Sequence, residues 1–504
     1  MAERVDLVER SLTADTRGEF AARVDEQAAF LRTAIEEGDL DNEDFAVGLE
    51  LEVYAVSEDG RLARLPEDAF GVANKELGLH NAELNTDPTP LTAEGLDLQA
   101  ESLGLQWRRA RDAAREAGRD LVLDAMWTVP PAEGSASYLS ATEDRDGVTT
   151  PANMRPVPRY WAIDRDATRA AGGSITFDVP GATVAFPSML FESLATSIQP
   201  HLQIPSTEAF PAHYNAAIRT LGPVLALATN SPFLPPDLYD ADVDPRALLD
   251  RTHHELRIAA FEQSVNHTDP PKCRVPEDVD APADLVDQVV ADPVVAPFLS
   301  EWVDEDAGYA ANFWEFDHKR GTFWRWLRPV VGGDPVEGAG DERSLRIEYR
   351  PLPTQPTVRD IVGFQALVGG LVVGLVAADH PLPDLEWGAA ERSFYAAVEN
   401  GLDAELAWLT ADGERTADPA VVFGEVFEYA RLGLREQGVD DATARHYLAP
   451  IEARWQTRTT PSKWKIARVR DALDEGLAFP DALEAMQREY VRRSRTSESF
   501  ADWL

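Results

Sequence analysis

From Val47 to Ala55 apolar residues fall at every second position, Val47, Leu49, Leu51, Val53 and Ala55, with Glu50, Glu52 and Tyr54 on the other face. This period of two predicts a half-buried strand. The alternation returns in "TSIQPHLQIP", where His201 and Gln203 stand opposite Leu202 and Ile204. It returns again in "RSLRIEYRPLP", where Arg346, Glu348 and Arg350 stand opposite Leu345, Ile347 and Tyr349. A shorter strand pattern, "HNAELNTDPTP", carries Glu83 and ends at proline. "GTFWRWLRPV" is expected to pair with the Arg346 strand across the glycine-rich "VVGGDPVEGAGDE". Helical periodicity marks much of residues 1–44, the stretch from Leu96 running into a strand at Val122, "EAFPAHYNAAIRTLGPVLALATNSPF", and the chain after Pro356. Residues 131–158 are rich in turn formers and predict a loop, and 265–300 are rich in proline and aspartate without a defensible period.

Alternating strands separated by helices predict an α+β fold whose antiparallel sheet packs helices on one face and leaves the other open. The expected organisation is a helical extension over 1–44 and one main unit over 45–504. Within the latter, 265–300 is an acidic insertion and 385–504 a helical C-terminal part.

Charge sharpens the picture. The 504 residues carry 88 acidic against 47 basic side chains, a net charge of -41, and the only lysines are Lys75, Lys272, Lys319, Lys463 and Lys465. Such a chain lacks the excess of cations that displaces counterions from phosphate backbones, so nucleic acid is not an expected partner. Acidic residues spread along the whole length match the compositions that keep proteins soluble in concentrated salt, which suggests a halophilic source. The single cysteine, Cys273, excludes an internal disulfide, and no apolar leader precedes the first helix. A soluble, cytoplasmic protein is expected, with its oligomeric state open. "IVGFQALVGGLVVGLVAA", Ile361 to Ala378, has the length of a membrane span, but Gln365, four glycines and the lack of basic flanks predict a buried core helix.

The polar faces of the strands are where chemistry is expected. Same-face neighbours on a strand lie about 6.5–7 Å apart, so Glu50 and Glu52 can each hold one metal ion or grip one between them. A charged alternating strand is ordinarily just a solvated face. Several such faces together, offering Glu50, Glu52, Glu83, His201 and Glu348 beside Arg350, combine what divalent cations and a nucleoside triphosphate require.

In order and spacing, "GLELE", "ELNTDPTPL", "HLQIP" followed by "LALATNSPF", and "WRWLRP" leading to "IEYRPLPTQPTVRDIVGFQAL" resemble the glutamate-cysteine ligase family of the second type. The resemblance extends over about residues 45–490. It implies a glutamine-synthetase-like fold, a curved antiparallel sheet with a concave open face. It implies an ATP- and Mg2+-dependent carboxylate-amine ligase that joins the γ-carboxylate of glutamate to cysteine through an acyl phosphate. Small-molecule substrates are then the expected partners. By motif position Glu50, His201 and Glu348 would share one magnesium, Glu52 and Glu83 another, and Arg328 and Arg350 would contact phosphate. Arg257 and Asn230 are implied as substrate contacts. A ligase acting on another acid or amine, or a non-catalytic nucleotide- or metabolite-binding relative, are the alternatives.

The sequence departs from the family pattern in three places. Gln203 replaces the second histidine of an H-x-H strand and cannot take up a proton at neutral pH. Pro353 stands where the family has an aspartate, and "LPPDLYDADVDPRALLDRTHHELRIAAF" replaces a glycine-rich segment. Other polar features read as structural: His253 and His254 on a helix surface, His267 and Cys273 in a loop, Trp324 and Trp326 on a strand packed in the core, and "SKWKIARVR" as a solvated helix face.

Overall fold

The alternation read from the sequence builds the centre of the molecule. The structure, a computed structural model, describes residues 2–71, 73–145, 147–302, 313–331 and 344–504. Strands β1 (Ala46–Val56), β2 (Asn74–Lys75), β3 (Asn81–Pro90) and β4 (Asp120–Val122) come first. Two hairpins follow, β5 (Thr142–Arg145) with β6 (Val148–Pro151) and β7 (Ile175–Val179) with β8 (Ala182–Phe186). Then β9 (Ile198–Ile204), β10 (Leu327–Val331) and β11 (Leu345–Tyr349) complete a seven-stranded sheet. Its order is β10-β11-β9-β1-β3-β2, with β4 paired to the end of β1, and the pairings are antiparallel. The sheet curls into a half-barrel with helices around it.

The apolar face of β1 is buried against the helix Val358–Ala377 and the helix Ala93–Glu116, with Leu51 and Val53 fully inaccessible. The Val358–Ala377 helix is long and apolar enough to cross a membrane, yet 89% of that stretch is buried inside this fold. Its glycines explain how. A Cβ on Gly374 would lie 1.9 Å from the carbonyl oxygen of Tyr429, and one on Gly433 would lie 2.0 Å from that of Gly370, so only glycine lets this helix cross Pro419–Glu436 so closely. Gln365, the polar residue in the apolar run, donates to the backbone carbonyl of Gly48 at 3.0 Å and fastens the helix to the strand that carries the glutamates.

Several expectations are corrected. Residues 131–158 hold a short helix, Ser135–Ser140, and the β5/β6 hairpin, because Gly147 (φ 89°) supplies the left-handed residue a tight turn needs. The stretch 265–300 contains the helix Ala283–Ala291, which packs on Ala14–Glu37, and a buried cluster in which Lys272 and Arg325 both engage Asp292. The aspartates there mask the apolar residues Leu285, Val286 and Val289 that face the core. Trp324 and Trp326 precede β10 rather than sharing it; Trp326 is buried, and Trp324 borders a cavity. His253 and His254 lie in the turn before the helix Leu256–Val265, where Nδ1 of His254 meets the Ser462 hydroxyl at 3.0 Å. "SKWKIARVR" is helical, but Lys465 is buried and bonds Asp124 at 2.5 Å. The glycine-rich connection expected between β10 and β11 lies outside the described residues at 332–343.

Candidate active site

Register decides what the strands bring together. Antiparallel partners point to the same face with Cβ atoms about 4.5–5.5 Å apart. Arg328 pairs with Glu348, Glu348 with His201, and His201 with Gly48, forming one row across β10, β11, β9 and β1. The next row sets Gln199 beside Glu50 and Glu50 beside Asn85, and a third sets Glu52 opposite Glu83. Residues separated by some three hundred positions thus share one concave surface.

The first cluster is tightly organised. One ligand atom each of Glu50, His201 and Glu348 lie within 4.8 Å of one another. Nε2 of His201 stands 3.3 Å from Oε1 of Glu50, and this buried nitrogen has no hydrogen-bond partner among the described residues. Glu348 is buried and held bidentately by Arg328, with Nε to Oε2 at 2.6 Å and Nη2 to Oε1 at 2.8 Å, and Arg350 also bonds Oε1. Burial opposes its charge, but the two guanidiniums and His201 win and hold the carboxyl well below the usual range. Arg350 also donates to Oε1 of Gln199 at 2.6 Å. Burial likewise opposes the charge of Glu50, and His201 with Arg328 brings the carboxyl below its ordinary value.

The second cluster has the opposite electrostatics. Glu52, Glu76, Glu83 and Glu192 line one cavity of about 230 Å3, which Glu50, Arg328, Arg350, Tyr160 and Trp324 also border. Glu52 accepts from the backbone N–H of Ser197 at 2.8 Å and from Gln199 at 3.2 Å, and Glu83 accepts from Asn85 at 2.9 Å. Burial raises all four carboxyls. Glu83 is pushed to about 9 by burial and by Glu76, Glu50 and Glu52. Glu76 is pushed to about 8 by burial with Glu52 and Glu192. Glu192 is also pushed to about 8, by burial and Glu52, and Glu52 rises because burial outweighs Arg257 and its hydrogen bonds. Like charges this close are a configuration that bound cations complete. A smaller cavity of about 160 Å3 adjoins Glu50 on the other side, lined by His201, Gln203, Arg346 and Asn85.

The donors present fit a divalent cation. Glu50, His201 and Glu348 offer an imidazole nitrogen without a hydrogen-bond partner among the described residues and two carboxylates; Oε2 of Glu348 keeps a lone pair beyond its bond to Arg328, whereas its Oε1 receives both Arg328 and Arg350. Of the residues expected from sequence, Glu50, Glu52, Glu83, Arg328 and Arg350 line the larger cavity, Glu50 and His201 line the smaller, and the buried Glu348 joins Glu50 and His201 from behind. Asn230 lines neither. It is buried, and its amide donates to Thr354 O at 2.7 Å and to the Tyr490 hydroxyl at 2.8 Å, so it ties the sheet to the C-terminal helices. Arg257 lies behind the wall, bonding the carbonyl of Arg350 at 3.0 Å, with Nη1 left without a partner among the described residues. Sequence reasoning missed Glu76 and Glu192. Glu192 carried a signal, a lone acid inside the apolar "SMLFESLA"; Glu76 sits beside a two-residue strand too short to show alternation.

Among solved structures, the chain is similar to a glutamate-cysteine ligase from Francisella tularensis in complex with AMP, at 13% identity and TM-score 0.49, over 91% of each chain. It is also similar to a bifunctional glutathione synthetase from Pasteurella multocida, at 14% identity and TM-score 0.53, over 93% of this chain and 55% of that one. No curated protein sequence matches it. The model of glutamate-cysteine ligase family 2 (GCS2) matches residues 46–497, nearly the whole length that supplies the clustered glutamates, His201 and the two arginines, and the chain belongs to that family.

Proposed function

We propose that the protein is an ATP-dependent carboxylate-amine ligase that joins the γ-carboxylate of glutamate to the amine of cysteine. The observation that carries this reading is the convergence of Glu50, His201 and Glu348 within 4.8 Å, with Arg328 and Arg350 fixed beside them. Family membership and the ligase fold support the reaction class.

In the proposed reaction, an oxygen of the substrate carboxylate attacks the γ-phosphorus of ATP, ADP leaves, and an acyl phosphate forms. The amine nitrogen then attacks the acyl carbon, loses a proton, and phosphate departs. Both steps bring anions together, so pre-positioned cations matter most. Magnesium, held by Glu50, His201 and Glu348 at one position and by Glu52 and Glu83 at another, would supply charge neutralisation at the phosphates. Arg328 and Arg350 are anchored through Glu348 in fixed orientations facing the same cavity, which lets them meet a phosphoryl group without reorganising. Glu192, which lines the same cavity as Glu52 and the two arginines, is placed to take the proton that the amine sheds.

ADP release measured with glutamate and a panel of amines tests the reading. Stimulation by cysteine is expected; stimulation only by another amine would move the substrate assignment. No nucleotide turnover under any combination of acid and amine would leave a binding protein.

A further inference from the structure

The largest cavity described lies away from these carboxylates. It has a volume of about 610 Å3 and opens at the far end of β1, between the turn Ser57–Gly60, β4 and the helix Phe479–Thr496. Its rim is arginine: Arg115, Arg119, Arg488, Arg492 and Arg495, against only Glu58 and Asp120 among the acids lining it. In a chain whose net charge is -41, such a surplus of cations around one cleft runs against the composition of the whole.

The acids near the rim neutralise it only in part. Arg488 pairs with Glu484 at 2.6 Å and donates to the Asp59 carbonyl at 2.7 Å. Asp120 is shared by Arg111 at 2.6 Å, Arg495 at 2.8 Å and Arg115 at 3.4 Å, three guanidiniums for one carboxylate. Arg119 bonds only backbone carbonyls, those of Arg64 at 3.0 Å and Gly118 at 2.9 Å. Arg492 approaches Glu489 no closer than 3.9 Å. The floor is different in kind. Tyr54, Trp127 and the buried Val56, Val122 and Val129 line it together with the half-buried Val491, and the indole N–H of Trp127 has no hydrogen-bond partner among the described residues.

An apolar, aromatic floor under a rim of guanidiniums suits a ligand with a flat body and an anionic head. The volume falls within the range of about 300–1,000 Å3 typical of small-molecule sites. We propose that this cleft binds an organic phosphate of nucleotide size, with its phosphate on Arg115, Arg119, Arg488, Arg492 and Arg495 and its body on Tyr54 and Trp127. The site is separate from the carboxylate cavities and does not depend on the ligase reading.

The test is calorimetric titration of the full chain with AMP and with inorganic phosphate in EDTA, which keeps divalent ions from assisting binding at the acidic cavities. A single saturable AMP site is expected, at least tenfold tighter than inorganic phosphate because the floor adds contact. The double variant Arg488→Glu, Arg492→Glu reverses two well-exposed side chains and should weaken AMP at least tenfold, whereas Glu50→Gln should leave it unchanged. Circular dichroism verifies that both variants are folded, and Arg492→Gln alone gives a milder loss should the double variant fail that check. Absence of saturable AMP binding, inorganic phosphate binding as tightly as AMP, or full affinity in the folded reversal variants would overturn the proposal, as would loss of binding in Glu50→Gln.

Discussion

Two sets of buried charges in this molecule look alike in composition and differ in purpose. Among the helices that close the sheet, two buried cations are matched by buried acids: Arg454 with Asp360 at 2.9 Å, Lys465 with Asp124 at 2.5 Å. Arg454 is further satisfied by Gln355 at 2.7 Å and the Leu227 carbonyl at 3.1 Å. In the cavity beneath β1 the carboxyls of Glu52, Glu76, Glu83 and Glu192 are gathered without that matching, and three of them are raised to about 8 or 9. A matched pair is complete in the folded chain and serves architecture. A cluster of like charge destabilises the fold until a ligand arrives, which is the mark of a site.

The sharpest way to break this contrast is to remove carboxylates from the open cluster. The Glu50→Gln, Glu52→Gln variant should lower ATP turnover by about 100-fold or more while remaining folded. Turnover near the wild-type level would remove both residues from the site. In the matched set the same kind of change should act on stability instead. Asp360→Ala leaves Arg454 buried without its partner and should cost about 3–5 kcal/mol in urea denaturation.

The two sets should also separate by pH. A carboxyl raised in the folded state is protonated there while the unfolded chain has already released its proton, so the unfolded state binds fewer protons and stability falls as pH rises. For Glu192 and Glu76 the window runs from the ordinary glutamate value up to about 8. The metal-free protein should therefore be more stable near pH 5 than near pH 8 in this respect. Glu192→Gln should flatten that slope by about 1–3 kcal/mol, measured as denaturation midpoints across pH. Divalent cation should work in the opposite sense. Magnesium at about 100 times its Kd should stabilise the wild type by about 2.7 kcal/mol at pH 8, and much less the Glu50→Gln, Glu52→Gln variant. A packing change should act on stability alone: Gly374→Ala, where a Cβ meets the Tyr429 carbonyl, should cost about 1–3 kcal/mol with turnover kinetics unchanged.

Much of the sheet was legible because a strand with one apolar face alternates in sequence, as Val47 to Ala55 in β1, the His201 and Gln203 segment of β9 and Leu345 to Tyr349 in β11 do. The helix Val358–Ala377 was legible for the same kind of reason, its apolar run broken by the Gln365 that bonds Gly48. A motif position says nothing about which way a side chain turns, and the amide of Asn230 turns to Thr354 and Tyr490. Lys465 was taken for a surface residue since a lysine in a basic run is ordinarily solvated, whereas Asp124, more than three hundred residues earlier, receives it.

Periodicity and motif order, which are local, were enough to determine the strands and to place Glu50, Glu52, Glu83, His201 and Glu348 on their polar faces. The tertiary structure alone decided that Glu76 and Glu192 join them, that Arg328 and Arg350 share Glu348, and that five arginines from distant segments ring a cleft at the other end of the same strand. The physical reason is that charge interactions depend on distance in space, and strand register with helix packing sets those distances between segments whose separation along the chain carries no trace of them.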